Sequence, residues 1–479
     1  MTAGDKTGST TGSKTGPRTG LWGIALYGTA MNFSIRWLAT GAATGPVAIT
    51  LWIVAALLFL VPLVCATLEL SARFPEEGAV YAWVRETQGP FAGFMTGWLY
   101  WACNLPYFAS LLFFIVNLLG KACLGIPATA GLGAVLSQPV GAFWAATAIL
   151  LVVAALHARG FGVGKWLPIA SAAVSVAILF FLIWAGFYLS DVTGSATDFA
   201  RANYTPPFDA NGAILWASIV FAFGGVEGVA LMRNDVKGGV RTIVPALIVL
   251  GLFQTIGYAG GTAAMLAIVP QEIASRLGGL PDALAAALTK LHVSAWLPYL
   301  LAAAALTFLG GMSAWFGAAA RLPFAIGVDH MLPKVLGRTD PKTGAPVVAI
   351  TIQAVLVILI MGLSAFGATL AGAYDFVVSM GVLTFVIPYL WMFAAYWIAQ
   401  KRPDAGLDWR TPGGAMGAKI LAALGFIVAF TAILGSLVPS SATTDAMGDF
   451  LKLAGASAVL IAIGAVIYGT HWFRSRRTQ

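Results

Sequence analysis

The sequence predicts an all-α membrane protein of about twelve transmembrane helices, with the first and sixth discontinuous. Three observations predict it. Of 479 residues, 59% are hydrophobic and only 10% charged, with a mean hydropathy of +0.86, whereas a soluble domain carries about 25% charged residues. A spanning helix needs about 20 apolar residues, and roughly twelve such stretches follow one another. Two of them, at about Leu21 to Val47 and about Gly212 to Met232, are interrupted and mirror each other in the two halves of the chain.

In chain order, residues 1–19 are rich in Gly, Thr and Lys, with nothing to bury, and read as a disordered cytoplasmic tail. They are not a signal peptide, because the apolar run behind them is too long and lacks a cleavage pattern. The apolar stretches then centre near residues 33, 59, 106, 148, 176, 222, 255, 307, 355, 385, 426 and 459. The first carries Arg36, and the sixth carries Glu227 beside Gly224, Gly225 and Gly228. A charge at bilayer depth costs at least ~2.5–3.5 kcal/mol, so it faces a cavity or a partner. Helix-breaking residues beside it free backbone groups that hydrocarbon cannot satisfy. Two such helices meeting around a polar site are the layout of a secondary transporter.

Basic residues set the expected topology. With the N-terminus inside and one crossing per segment, 21 of the 27 Lys and Arg fall inside and five outside, with Arg36 in the membrane. The positive-inside rule then puts both termini in the cytoplasm, for a multi-pass protein of the plasma (inner) membrane. The net charge of +8 is therefore a topology signal rather than a sign of a nucleic-acid partner. Cys65, Cys103 and Cys123 are odd in number, lack metal spacing, and read as small core residues or unpaired thiols. Gly41 and Gly45 suit close helix packing, and the Asn203-Tyr204-Thr205 glycosylation pattern decides nothing by itself.

Four motifs carry a resemblance. The loop after the second segment reads Glu69-Leu-Ser-Ala-Arg73-Phe-Pro75-Glu-Glu-Gly78-Ala-Val-Tyr81, and the sixth segment reads Phe221-Ala222-Phe223-Gly224-Gly225-Val226-Glu227. After the eighth come Arg321-Leu-Pro-Phe-Ala-Ile-Gly-Val-Asp329-His-Met-Leu-Pro333-Lys334 and Thr343-Gly-Ala-Pro346, and the tenth holds Ile387-Pro388-Tyr389. In this order they resemble the amino acid–polyamine–organocation permease superfamily. The resemblance implies a five-plus-five inverted repeat as the transport core over 20–400, the repeats spanning about 20–190 and 211–400. Two additional helices over 401–470 and a basic tail over 471–479 follow.

It also implies an amino acid or amine bound where the first and sixth helices unwind, contacting Asn32, Ser34, Arg36, Phe221, Ala222, Phe223, Gly224 and Trp315. Phe221 and Trp315 align with bulky gate aromatics, and Tyr100 and Tyr389 with Glu227 align with an outer gate cluster. The first helix departs from the superfamily pattern: Asn32-Phe33-Ser34-Ile35-Arg36 replaces G-S/T-G-I-F. Arg36 could fork onto a substrate carboxylate, stand in for a bound cation, pair with Glu227 or helix-end carbonyls, or snorkel. Glu227 could carry or gate a proton, or cap a helix. Asp375 reads as a helix N-terminal charge and Lys165 as interfacial, with no lysine at 175–180 to couple protons.

No Gly-x-x-x-x-Gly-Lys-Ser/Thr occurs, so a primary pump is excluded. The four histidines fall at segment ends or loops, which argues against a Ser–His pair at depth and against an enzyme. A channel and a transport-dead ligand sensor stay open. No cofactor or metal is implied, and oligomeric state is not set by the sequence. Arg36 favours a zwitterionic or anionic amino acid, as in the glutamate/γ-aminobutyrate branch, with a polyamine or cationic amino acid as the alternative. Proton symport and exchange both fit.

Overall fold

The computed structural model describes residues 21–74, 80–160, 166–206, 209–228, 240–320, 335, 338–365, 369–404, 406–438 and 446–477. The 1–19 tail, Pro75, Gly78, Lys165, the basic loop after the sixth segment and Arg321–Lys334 lie outside them. Among the described residues there are helices but no strands, and ten helices are long and apolar enough to cross a membrane.

The first span is broken: α1 (Leu21–Asn32) and α2 (Arg36–Ala42) are separated by three residues outside any helix. The second runs as α3 (Val47–Ala55) and α4 (Val61–Arg73), joined by a wide π turn at Ala56–Leu60. Pro62 explains that turn, since it lacks the N–H that a continuous ladder needs. A short helix α5 (Val80–Gln88) follows. The third span is stepped at Cys103 between α6 (Pro90–Ala102) and α7 (Asn104–Leu124). Gly89 at φ +93° makes the turn into α6, and Pro90 occupies its first position, where a missing N–H costs nothing.

After the short α8 (Ala130–Leu136) come α9 (Pro139–Ala158), α10 (Trp166–Thr193) and the sixth span's first half, α11 (Ala210–Ala222). The Asp209 carboxylate caps α11 by accepting from the Gly212 N–H at 2.7 Å. Beyond α11 the chain makes turns at 223–225 and one tight helical turn at 226–228. Then follow α12 (Val240–Ile268), the loop helix α13 (Gly279–Lys290), α14 (Leu297–Ala319), α15 (Val347–Ala365), α16 (Leu370–Ala399), α17 (Gly414–Ser436) and α18 (Ala446–Arg477).

Both halves of the first span pack on α12, while α11 packs on α2, α3, α16 and α17. The two broken spans therefore stand in the middle of the bundle. The end of the bundle where α4 and α16 finish is tied by a buried polar network. Glu69 accepts from Arg73 Nε at 2.9 Å, Gln400 Nε2 at 2.9 Å and the Thr411 N–H at 3.0 Å, while Arg73 also reaches Asp404 at 2.6 Å. Every oxygen of that buried carboxylate is used, so deleting Arg73 would strand it at a cost of about 3–5 kcal/mol. The opposite end is covered by α13. Its Asp282 pairs with Lys121 of α7. Arg276, just before it, bonds Ser218 of α11 and Asp375 of α16, so Asp375 is an ion-pair partner as well as an early helix charge.

Candidate functional site

The breaks at 33–35 and 223–225 face one another. A Cβ on Gly225 would lie 2.4 Å from Asn32 Oδ1, so the two loops touch at a point only glycine allows. Gly225 also takes φ +97°, and its N–H donates to the Tyr389 hydroxyl at 2.9 Å. On the other side the Asn32 carbonyl accepts from Gln254 Nε2 at 3.1 Å. The Tyr258 hydroxyl sits 3.3 Å from both that carbonyl and the Ser34 N–H, and 3.4 Å from the Ala222 carbonyl. One side chain of α12 thus serves both breaks.

Between the breaks lies a cavity of about 140 Å³, room for roughly ten water-sized spheres. Of the expected contact residues Asn32, Ser34, Phe221, Ala222, Gly224 and Trp315 line it, together with Tyr100 of the expected gate cluster. Ser171 and Ser175 near the start of α10, and Thr307 to Trp315 on α14, extend the wall toward the end of the bundle where α1 begins. Residues 175–180, the stretch in which the resemblance would put a coupling lysine, hold none.

Four expected residues, Phe223, Arg36, Glu227 and Tyr389, stand off this wall. Phe223 turns away to pack edge-on against Trp52 and Tyr258, both at 5.7 Å. Arg36, 1% exposed, donates to Ser110 Oγ at 3.1 Å and stacks 4.4 Å from Trp37 and 5.1 Å from Tyr107. Trp37, Tyr107 and Phe221 line both the cavity and the small void beside Arg36, so these rings partition the guanidinium from the cavity. Glu227 is equally buried; its Oε1 accepts from Tyr389 at 2.7 Å and Tyr100 at 2.8 Å. Among the described residues neither Arg36 nor Glu227 joins an ion pair, so the Arg36–Glu227 bridge is not formed here.

Tyr100 and Tyr389, the tyrosines expected to gate with Glu227, both bond it. Tyr389 is 11 residues from Gln400 and 19 from Leu370 in α16, about 16 and 28 Å at a helical rise of about 1.5 Å per residue. The Glu227 cluster is therefore nearer the Glu69 end of the bundle than the end covered by α13. One pair set aside from the sequence does form, His157 Nε2 with Ser313 Oγ at 3.1 Å, at the end of α9 and off the cavity wall.

Sequence reasoning missed Tyr258, Gln254, Asn104, Ser171 and Ser175. A signal existed for four of them: Gln254 with Tyr258, and Ser171 with Ser175, are polar pairs four apart on one face of an apolar helix. Among the described residues no three His, Cys, Asp or Glu cluster as metal ligands would. The cysteines are free thiols, Cys103 on the cavity wall.

Residues 20–468 match the sequence profile of the amino acid permease family. An uncharacterized transporter of Legionella pneumophila is 26% identical over 420 residues, 85% of this chain and 87% of that protein. The glutamate/gamma-aminobutyrate antiporter of Lactococcus lactis is 25% identical over 80% of this chain and 76% of its own length. A probable agmatine/putrescine antiporter of the same species is 21% identical over 87% of each. Among solved structures, an Eremococcus coleocola manganese transporter superposes with TM-score 0.53 and 14% identity, covering 95% of this chain and 94% of that one. At that identity the likeness speaks for the fold, the five-plus-five inverted repeat with discontinuous first and sixth helices.

Proposed function

We propose that this chain, which belongs to the amino acid permease family, is a secondary carrier moving a zwitterionic amino acid with an uncharged side chain by alternating access. The observation that carries this is the cavity shared by the two helix breaks. At the two breaks the Ile35 N–H and the Phe33 and Phe223 carbonyls have no hydrogen-bond partner among the described residues. Such groups suit a carboxylate and an ammonium, because both ends of a zwitterion need partners once water is removed. Among the described residues the wall holds no Asp, Glu, Lys or Arg; its side chains bring hydroxyls, amides, a thiol, rings and aliphatic groups, which suits an uncharged side chain. Arg36 was the sequence's reason for an anionic substrate, and it lies behind the aromatic partition.

The cover formed by α13 and Arg276 closes one end of the bundle, while the cavity extends toward the other. We take this as an inward-facing arrangement in a plasma (inner) membrane, with both termini cytoplasmic. Glu227, held by two tyrosines, is the group we assign to proton coupling, as symporter or exchanger.

One observation favours a second reading, an amine substrate. Trp37, Tyr100, Tyr107, Phe221, Trp315 and Phe385 all line the cavity, and ring faces attract cations. A thermal-shift screen of the purified protein separates the two: a ligand at 100 times its Kd stabilises by about 2.7 kcal/mol. Stabilisation by alanine- or serine-like amino acids supports the first reading, and stabilisation by putrescine alone the second. Saturable counterflow in proteoliposomes then supports a carrier. Ohmic current would mean a channel, and binding without flux a sensor.

A further inference from the structure

The step in the third span places one side chain between two parts that the carrier mechanism needs to move. Pro106 has no N–H to offer the carbonyl four residues earlier, which loosens the ladder where α6 passes into α7. Side chains of the same turn take over. Asn104 Nδ2 donates to the Tyr100 carbonyl at 2.8 Å and the Trp101 carbonyl at 3.2 Å, and the Cys103 thiol donates to the Tyr100 carbonyl at 3.1 Å. With its nitrogen committed to main-chain carbonyls, the Asn104 amide must aim its oxygen the other way. There Trp315 Nε1 donates to Oδ1 at 2.5 Å. The orientation of the amide is fixed by chemistry: carbonyls only accept and an indole N–H only donates. No hydroxyl, carboxylate or apolar side chain of similar size offers a donor face and an acceptor face at that separation.

The same turn touches Glu227. The Tyr100 hydroxyl donates to Glu227, while the Tyr100 carbonyl holds Asn104. A continuous chain of bonds therefore runs from Glu227 in the sixth span, through Tyr100 and Asn104 in the third, to Trp315 in the eighth. Tyr100, Cys103, Asn104 and Trp315 all line the cavity. Among the described residues, the titratable groups facing Glu227 are Tyr100 from α6, Tyr389 from α16 and the Cys103 thiol. Both hydroxyls bond Oε1, while Oε2 has no hydrogen-bond partner among the described residues, so protonation at Oε2 turns Oε1 into a neutral acceptor and weakens both tyrosine bonds.

We propose that Asn104 is a positioning residue that transmits the protonation state of Glu227 to the Trp315 ring across the stepped turn of the third span. This rests on the carrier reading above, in which Glu227 takes up protons, and on the place of Trp315 in the cavity wall. Adjacency alone does not demonstrate coupling, so the test is a cycle of substitutions.

The measurement is the melting midpoint of the purified full-length protein from pH 4 to 9, with no substrate added. The difference between wild type and Glu227→Gln isolates the step owed to Glu227. Trp315→Phe, which keeps a ring and loses the donor, should move that step by roughly half a pH unit, a threefold change in proton affinity. In an Asn104→Ala background, Trp315→Phe should move it no further. Asn104→Ser, too short to reach the indole, replaces Asn104→Ala if the latter does not fold. The proposal is overturned if Trp315→Phe leaves the step in place or moves it equally in both backgrounds. It is also overturned if Glu227→Gln removes no step, since there is then nothing to transmit. Because no transport is measured, the coupling can hold in a protein that fails counterflow, which would count against the carrier reading alone.

Discussion

The two helix breaks reach the same cavity by different means. The break at 223–225 is written in its own residues: Gly225 takes φ +97°, and a Cβ on Gly224 would lie 2.2 Å from the Phe385 ring. The break at 33–35 has no glycine and no positive φ among its residues. It is held open from outside, by Gln254 and Tyr258 of α12 bonding Asn32 and Ser34. The break at 223–225 joins glycine's backbone freedom to contacts from Tyr389 and Phe385, whereas the break at 33–35 rests on tertiary contact without any glycine.

The largest effect should come from Gly225→Ala. A left-handed backbone and a 2.4 Å approach to Asn32 Oδ1 together predict a loss of stability of about 2–5 kcal/mol. Thermal unfolding checks it, and a variant as stable as wild type would erase the distinction between the breaks. Tyr258→Phe should cost about 1–3 kcal/mol, because it leaves buried main-chain groups of the first break without a partner. It should also weaken ligand binding; a variant that melts lower yet binds normally would leave Tyr258 a packing residue only.

The break in the sixth span could be read from Gly224, Gly225, Gly228 and Glu227 because its glycines stand in the segment itself. The first could be read only as an interruption, because Gln254 and Tyr258 lie more than 220 residues away. The spanning helices were legible since twenty apolar residues in a row leave few alternatives. Facing was not: a seven-residue α2 does not reveal from its sequence that Arg36 points behind Trp37 and Tyr107. Asn104 was invisible because a single polar residue in an apolar span signals a partner without naming it.

A smaller effect sharpens the functional side of the contrast. Glu227→Gln should flatten the pH dependence of uptake in proteoliposomes while ligand binding persists; an unchanged profile would leave Glu227 a helix cap. The smallest expected effect is a null coupling. Arg36 and Glu227 belong to different breaks and share no bond, so Arg36→Met and Glu227→Gln should add within about 0.5 kcal/mol in a double-mutant cycle on melting. Mutual rescue would instead establish the ion pair.

The most direct test of the central claim, that the cavity between the breaks is the substrate site, is protection of a cysteine placed in its wall. Ser175→Cys, in a chain with Cys65, Cys103 and Cys123 changed to alanine, puts a thiol on the α10 side of the cavity. A neutral amino acid that stabilises the protein, added at ten times its Kd, should slow modification of that thiol by a methanethiosulfonate about tenfold, as the free fraction falls. If the same amino acid raises the melting temperature and leaves the modification rate unchanged, it binds elsewhere and the claim is wrong.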